Sequence, residues 1–149
     1  MVARHPYDDV LMEHIKNARN YRAIEGASGT ATGANALCGD GMTVFVRLED
    51  GRIEDISFQC ECCGVSMASA SIMTEALSGL SAEEARVRVK SFVARIAGDA
   101  GEKRSEEGGA QGAVVMAVRR YPVRSRCAVL PWLTLEAALD GRTETIYVR

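Results

Sequence analysis

The sequence predicts a single α+β domain over residues 1–149, a small antiparallel β-sheet with helices packed on one of its faces. Three observations carry that expectation. Two alternating apolar runs flank Asp50-Gly51, apolar residues recur at helical spacing on both sides of that hairpin, and hydrophobic residues make up 47% of the 149-residue chain. A chain of this length and composition is ordinary for one globular unit able to bury its own core.

In order along the chain, Val10, Leu11, His14 and Ile15 lie on one helical face within Pro6–Asn17, an amphipathic first helix. Asn20–Ala36 is rich in Gly, Ala, Ser and Thr and reads as a long loop, ending in Asn35-Ala36-Leu37-Cys38-Gly39-Asp40-Gly41. Val44, Val46 and Leu48 then alternate with Phe45 and Arg47, and Ile53 to Cys60 follows the Asp50-Gly51 pair. Asp-Gly tolerates the positive φ of a tight turn, so Thr43–Cys60 is a predicted hairpin. Ile56, Phe58, Cys60 and Cys62 share one face by strand alternation. Ser66–Ser78 is a helix of small residues suited to close packing, with Gly79 at its end. Ser81 caps a further helix, with Glu83 and Glu84 in its first turn and an end near Ile96. Gly98–Gly112 is charged and Gly-rich, a predicted flexible connector. The apolar run Ala113–Val118 leads to Tyr121-Pro122, and Val123–Leu139 is the last helix, with Cys127 in its first turn and Trp132 and Leu135 in its packing.

Charge and hydropathy exclude several functions. With 18 basic and 20 acidic side chains the formal net charge is −2, with no basic stripe to bind nucleic acid. No stretch reaches the ~18 to 20 apolar residues of a membrane span. Met1–Val10 holds a Pro and paired acids where a signal peptide would be apolar, so the expected compartment is the cytoplasm. Five cysteines in a reducing compartment point to metal or thiol chemistry rather than a disulfide framework. His5 and His14 are far from any cysteine in sequence and are expected to face solvent or a partner.

The local setting of three cysteines is suggestive. In Cys38-Gly39-Asp40 a thiol and a carboxylate flank a residue without a Cβ, so both can face one point. Cys63 lies where a strand meets a helix, and Cys127 lies in a first helical turn. Helix amino termini favour anions and therefore thiolates. Three thiolates and one carboxylate would complete a tetrahedral Zn²⁺ shell. The wide spacing leaves open an equally simple reading, cysteines as small core residues.

Three ordered blocks decide between these readings by resemblance. Leu37-Cys38-Gly39-Asp40, Cys63-Gly64-Val65-Ser66-Met67-Ala68-Ser69-Ala70-Ser71-Ile72-Met73-Thr74 and Tyr121-Pro122-Val123-Arg124-Ser125-Arg126-Cys127-Ala128-Val129-Leu130 resemble the signatures of the SufU/IscU/NifU amino-terminal family of iron–sulfur cluster assembly proteins. The resemblance spans Pro6 to Leu139 and is closest to the SufU branch. Arg126 stands where IscU-type relatives have a His, and Tyr121-Pro122-Val123-Arg124 replaces their Leu-Pro-Pro-Val-Lys chaperone motif. It implies that Cys38, Asp40, Cys63 and Cys127 bind Zn²⁺, and that Cys38 accepts persulfide sulfur from a SufS-like cysteine desulfurase. Such a chain is a sulfur carrier acting with that enzyme rather than a stand-alone catalyst. The resemblance also allows a scaffold on which Cys38, Cys63 and Cys127 hold a transient [2Fe–2S] cluster for transfer to apo-proteins. Arg124 and Arg126 would orient Asp40, steady an anionic persulfide, or form a solvated basic patch. Met67 and Met73 are expected in helix packing. One departure stands out: Cys60-Glu61-Cys62 replaces the family's Gly-x-Gly. These two cysteines are either small buried side chains or auxiliary thiols, with Cys62 a substitute ligand or sulfur relay.

Overall fold

The computed structural model describes residues 6–36, 39–98 and 109–148. In chain order they form α1 (Pro6–Lys16), β1 (Gly29–Asn35), β2 (Gly41–Glu49), β3 (Arg52–Glu61), α2 (Gly64–Leu77), α3 (Ala82–Ala97), α4 (Gly109–Arg120), α5 (Ser125–Leu139) and β4 (Ile146–Val148). A single 3₁₀ turn, Pro122–Arg124, leads into α5.

Asp50 and Gly51 adopt φ of 53° and 77°, the mirror-image turn that matches strand twist, and the hairpin they close is the centre of the sheet. It extends beyond the expected Thr43–Cys60 to pair Gly41 with Glu61, with a register shift at Arg47/Leu48. Val44 faces Phe58 and Val46 faces Ile56 across the ladder, and all four are fully buried beneath the helices.

The fold class is the α+β arrangement expected, and the sheet is larger and mixed. Its order is β3-β2-β1-β4, with β1 antiparallel to β2 and parallel to β4. β1 occupies part of the stretch Asn20–Ala36 that composition reads as loop. Its Gly, Ala and Thr residues show no hydrophobic alternation, yet Ala31, Gly33 and Asn35 are buried in strict period two. The reason is the closeness of α5. A Cβ on Gly29 would collide with the Ala138 carbonyl, and one on Gly33 with the Thr134 hydroxyl. Small residues here are a packing requirement.

α2 and α5 cover the inner face. Met73, Leu77, Leu130, Trp132 and Leu135 are buried there, joined by Val89 and Phe92 from α3 and Val114 from α4. Trp132 stacks on Phe92 with ring centroids 4.1 Å apart. Full burial of each such side chain contributes about 1.5–3 kcal/mol. α3 begins with the expected cap: Ser81 and Glu84 form a complete capping box, and Gly98 closes the helix at φ 86°.

Two expectations are corrected. Gly109–Gly112, read as connector, is the first turn of α4, because Gly112 to Val115 are buried against the bundle. The rest of the expected connector, 99–108, lies outside the described residues. His14, expected at the surface, is 5% exposed: its Nδ1 lies 2.7 Å from the Ser71 hydroxyl where α1 packs on α2. His5 lies outside the described residues. Among the described residues no helix is long and apolar enough to cross a membrane.

Candidate metal centre

A tight connection brings the first ligand into place. The Asn35 amide donates to the Asp40 carbonyl and the Gly39 amide to the Asn35 carbonyl, both at 2.9 Å. Gly39 sits at φ 78°, a conformation that a side chain would disfavour. These bonds join the end of β1 to the start of β2 and bury Asp40 to 8% exposure. At the end of β3 the chain turns, and Cys63 becomes the N-cap of α2 with φ −75° and ψ 170°. Cys127 lies in the first turn of α5 and is 1% exposed.

Asp40, Cys63 and Cys127 therefore come from three elements, and their ligand atoms all lie within 4.8 Å of one another. Neither Cys63 nor Cys127 is in a disulfide. Cys38, the expected third thiol, lies outside the described residues. The donor set fits zinc: two thiols and a carboxylate, residue types that bind this ion at ~2.0–2.3 Å, gathered at one place.

Two residues that sequence reasoning did not single out tie this group together. Pro131 lies inside α5 and has no N–H, so the Cys127 carbonyl lacks its helical donor. Ser66, three residues after Cys63 on α2, supplies the replacement: its hydroxyl lies 2.9 Å from that carbonyl. The same oxygen is 3.3 Å from Asp40 Oδ2 and 3.8 Å from Cys63 Sγ, so one hydroxyl meets all three candidate ligand residues. Asn35 Nδ2 approaches Cys127 Sγ at 3.9 Å, a weak donor to the sulfur. One turn on, Ser69 donates to the Ala128 carbonyl at 2.7 Å and accepts from Trp132 Nε1 at 2.9 Å. A serine at i+3 from the cysteine on the inner face of a helix was the available signal for Ser66.

Arg126 is half-buried, and its Nε has no hydrogen-bond partner among the described residues. Met73 is fully buried in the core and Met67 packs at its margin, as expected. Cys60 and Cys62 are not separate thiols; they are joined in a disulfide at the end of β3, half-buried against the core. The Tyr21 hydroxyl holds this strand end, donating to the Cys60 carbonyl at 2.8 Å and accepting from the Cys60 amide at 3.1 Å.

The family model described as the NifU-like N terminal domain matches residues 6–128. The chain belongs to this family. Two iron–sulfur cluster assembly scaffold proteins of Archaeoglobus fulgidus, IscU 1 and IscU 2, are each 40% identical over 92 residues, covering 62% of this chain and 60% of theirs. The chain thus matches about three-fifths of the length of those relatives. The zinc-dependent sulfurtransferase SufU of Bacillus subtilis is 34% identical over 130 residues, 87% of this chain and 86% of the relative. The solved structure of a putative SUF-system scaffold protein from Fervidobacterium islandicum superimposes with a TM-score of 0.76 at 29% identity, covering 88% and 94% of the two chains. The chain is thus a NifU-like domain, similar to relatives named as IscU scaffold proteins and as the sulfurtransferase SufU.

Proposed function

We propose that this NifU-like chain is a zinc-dependent sulfur acceptor of the cytoplasm, with Cys38, Asp40, Cys63 and Cys127 as metal ligands and Cys38 as the residue that takes sulfur from a cysteine desulfurase. The observation that carries the reading is the convergence of Asp40, Cys63 and Cys127 within 4.8 Å, from three separate elements, on a buried point. Such burial of a carboxylate beside two thiols is costly unless something positive is shared between them. Zn²⁺ held there would keep the thiols as thiolates.

The chain's own residues supply the rest. Ser66 and Asn35 orient the ligands by hydrogen bonds. Cys38 precedes Gly39, whose φ of 78° marks a turn. In the transfer, the Cys38 thiolate attacks the outer sulfur of the desulfurase persulfide. A new sulfur–sulfur bond forms on Cys38 as the enzyme's cysteine thiolate leaves. The name of the Bacillus subtilis relative supports this reading.

The Archaeoglobus relatives are named scaffold proteins, which favours a second reading, in which Cys38, Cys63 and Cys127 hold a transient [2Fe–2S] cluster for delivery to apo-proteins. Mass spectrometry after incubation with a cysteine desulfurase and cysteine separates the two. Added sulfur on Cys38, with desulfurase turnover accelerated and lost in Cys38→Ala, is the expected result. No acceleration alongside ready cluster assembly on the isolated protein would transfer the assignment to the scaffold.

A further inference from the structure

The Cys60–Cys62 pair is sulfur chemistry that the metal site does not absorb. We propose that Cys60 and Cys62 form a dithiol–disulfide couple that reduces a persulfide made at the neighbouring site and releases its outer sulfur as sulfide. The inference rests on the sulfur-acceptor reading above.

Four observations support it. Cys60 and Cys62 are bonded to each other although only one residue separates them, and both are only half-buried. Their Cα atoms are 5.6 Å apart, inside the ordinary range for a disulfide. The couple also adjoins the candidate centre. Cys62 is bonded through the backbone to Cys63, and Cys60 lies opposite Met42 in the ladder, two residues beyond Asp40. Cys60 and Gly39 line the same cavity of about 580 Å³, together with Tyr21, Thr43 and Gln59, which gives a reductant a route to the pair. Finally, the two cysteines are held unequally. The Tyr21 hydroxyl bonds both the amide and the carbonyl of Cys60, whereas Cys62 lies past the strand end, in the short link to α2. Cys62 is the sulfur free to reach, and Cys60 the sulfur fixed to resolve.

The chemistry balances. In the reduced pair, the Cys62 thiolate attacks the inner sulfur of the site persulfide; the outer sulfur leaves as HS⁻, and a mixed disulfide to Cys62 forms. The Cys60 thiolate then attacks Cys62 Sγ, the site cysteine leaves as its thiolate, and the Cys60–Cys62 disulfide closes. Two thiols supply the two electrons that convert sulfane sulfur to sulfide, and their protons pass to the sulfide and the site thiolate. The state described here is the oxidised end of that cycle. An external dithiol reductant returns the pair to thiols.

The test uses the full chain, zinc-loaded, pre-reduced and freed of reductant under anaerobic conditions. It is incubated with a trace of cysteine desulfurase and cysteine, and sulfide is measured beside intact mass. The expected result is a burst of roughly one sulfide per chain and a loss of two hydrogens mapped to Cys60–Cys62. The variant Cys60→Ser with Cys62→Ser, matched for zinc content, is expected to release less than about a tenth of that burst and to retain one added sulfur atom. Equal sulfide release by both proteins, or an added sulfur retained equally by both, overturns the couple while leaving the acceptor reading standing. Neither sulfide nor added sulfur in either protein overturns the acceptor reading, and the couple with it.

Discussion

Cys62 and Cys63 share a peptide bond, yet the fold gives them different partners. Cys62 lies in the link just past β3, where it pairs in a disulfide with Cys60, a residue that lines a cavity open to solvent. Cys63 begins α2, and the change from strand to helix turns its sulfur towards Asp40 and Cys127. The strand-end pair is made by residues two apart in sequence and needs only local backbone. The candidate metal group is made by three elements and exists only once α2, α5 and the β1–β2 connection have packed. The contrast teaches that a cysteine's chemistry here follows from which element it ends, not from its neighbours in sequence.

The largest expected effect sets those two regions against each other. Cys63→Ala and Cys127→Ala should each lower bound zinc from about one per chain to near none, whereas Cys62→Ala should retain it. Elemental analysis of protein purified anaerobically reads this directly. Equal metal loss in Cys62→Ala and Cys63→Ala would merge the two regions into one site.

A smaller effect is expected at Ser66, the hydroxyl that meets all three candidate ligand residues. Ser66→Ala should weaken zinc affinity about 10- to 100-fold, the usual cost of removing a residue that orients ligands. It should also cost about 1–3 kcal/mol of stability, because the Cys127 carbonyl is left buried with neither its helical donor nor the serine. Competition with a chromophoric chelator and denaturant melts separate the two effects. Unchanged affinity with reduced stability would restrict Ser66 to satisfying the Cys127 carbonyl.

The smallest effect concerns the other end of α2. Burial, and next the Arg19 charge, hold the His14 pKa below its ordinary value, with Glu75 and Glu13 opposing. The unfolded chain therefore takes up a proton on this ring at a higher pH than the folded one. The stability His14 contributes is complete above the unfolded value of about 6.5 and declines as pH falls below it towards the folded value. Ser71 fits a neutral ring: its oxygen accepts from the Arg19 amide at 2.8 Å, leaving its proton for Nδ1. Denaturant melts of metal-free protein between pH 7.5 and 5.5 should show a shallower decline in His14→Gln than in the parent chain. Equal slopes would assign the decline to other groups.

Much of this fold was legible from local signals. Asp50-Gly51 marked its hairpin because a tight turn demands positive φ from those two residues. Ser81 and Glu84 marked a helix start because their side chains satisfy the first amides. The blocks around Asp40, Cys63 and Cys127 marked the site, and the structure brings those three together. β1 and β4 were not legible. β1 carries almost no apolar pattern of its own, and its small residues answer to Thr134 and Ala138 on α5. β4 is only three residues long and gains its pairing from β1.

What the sequence by itself determined is whatever depends on φ and ψ or on a repeating hydrophobic face within one element: the hairpin turn, the caps, the helical faces and the order of the cysteine blocks. What only tertiary structure decided depends on contacts between distant elements. The closeness of α5 to the sheet made Gly29–Asn35 a strand, and the packing of α1 on α2 buried His14. The missing amide of Pro131 recruited Ser66 to the Cys127 carbonyl. Each of these outcomes is set by a partner far away in the chain, so no local window of sequence contains it.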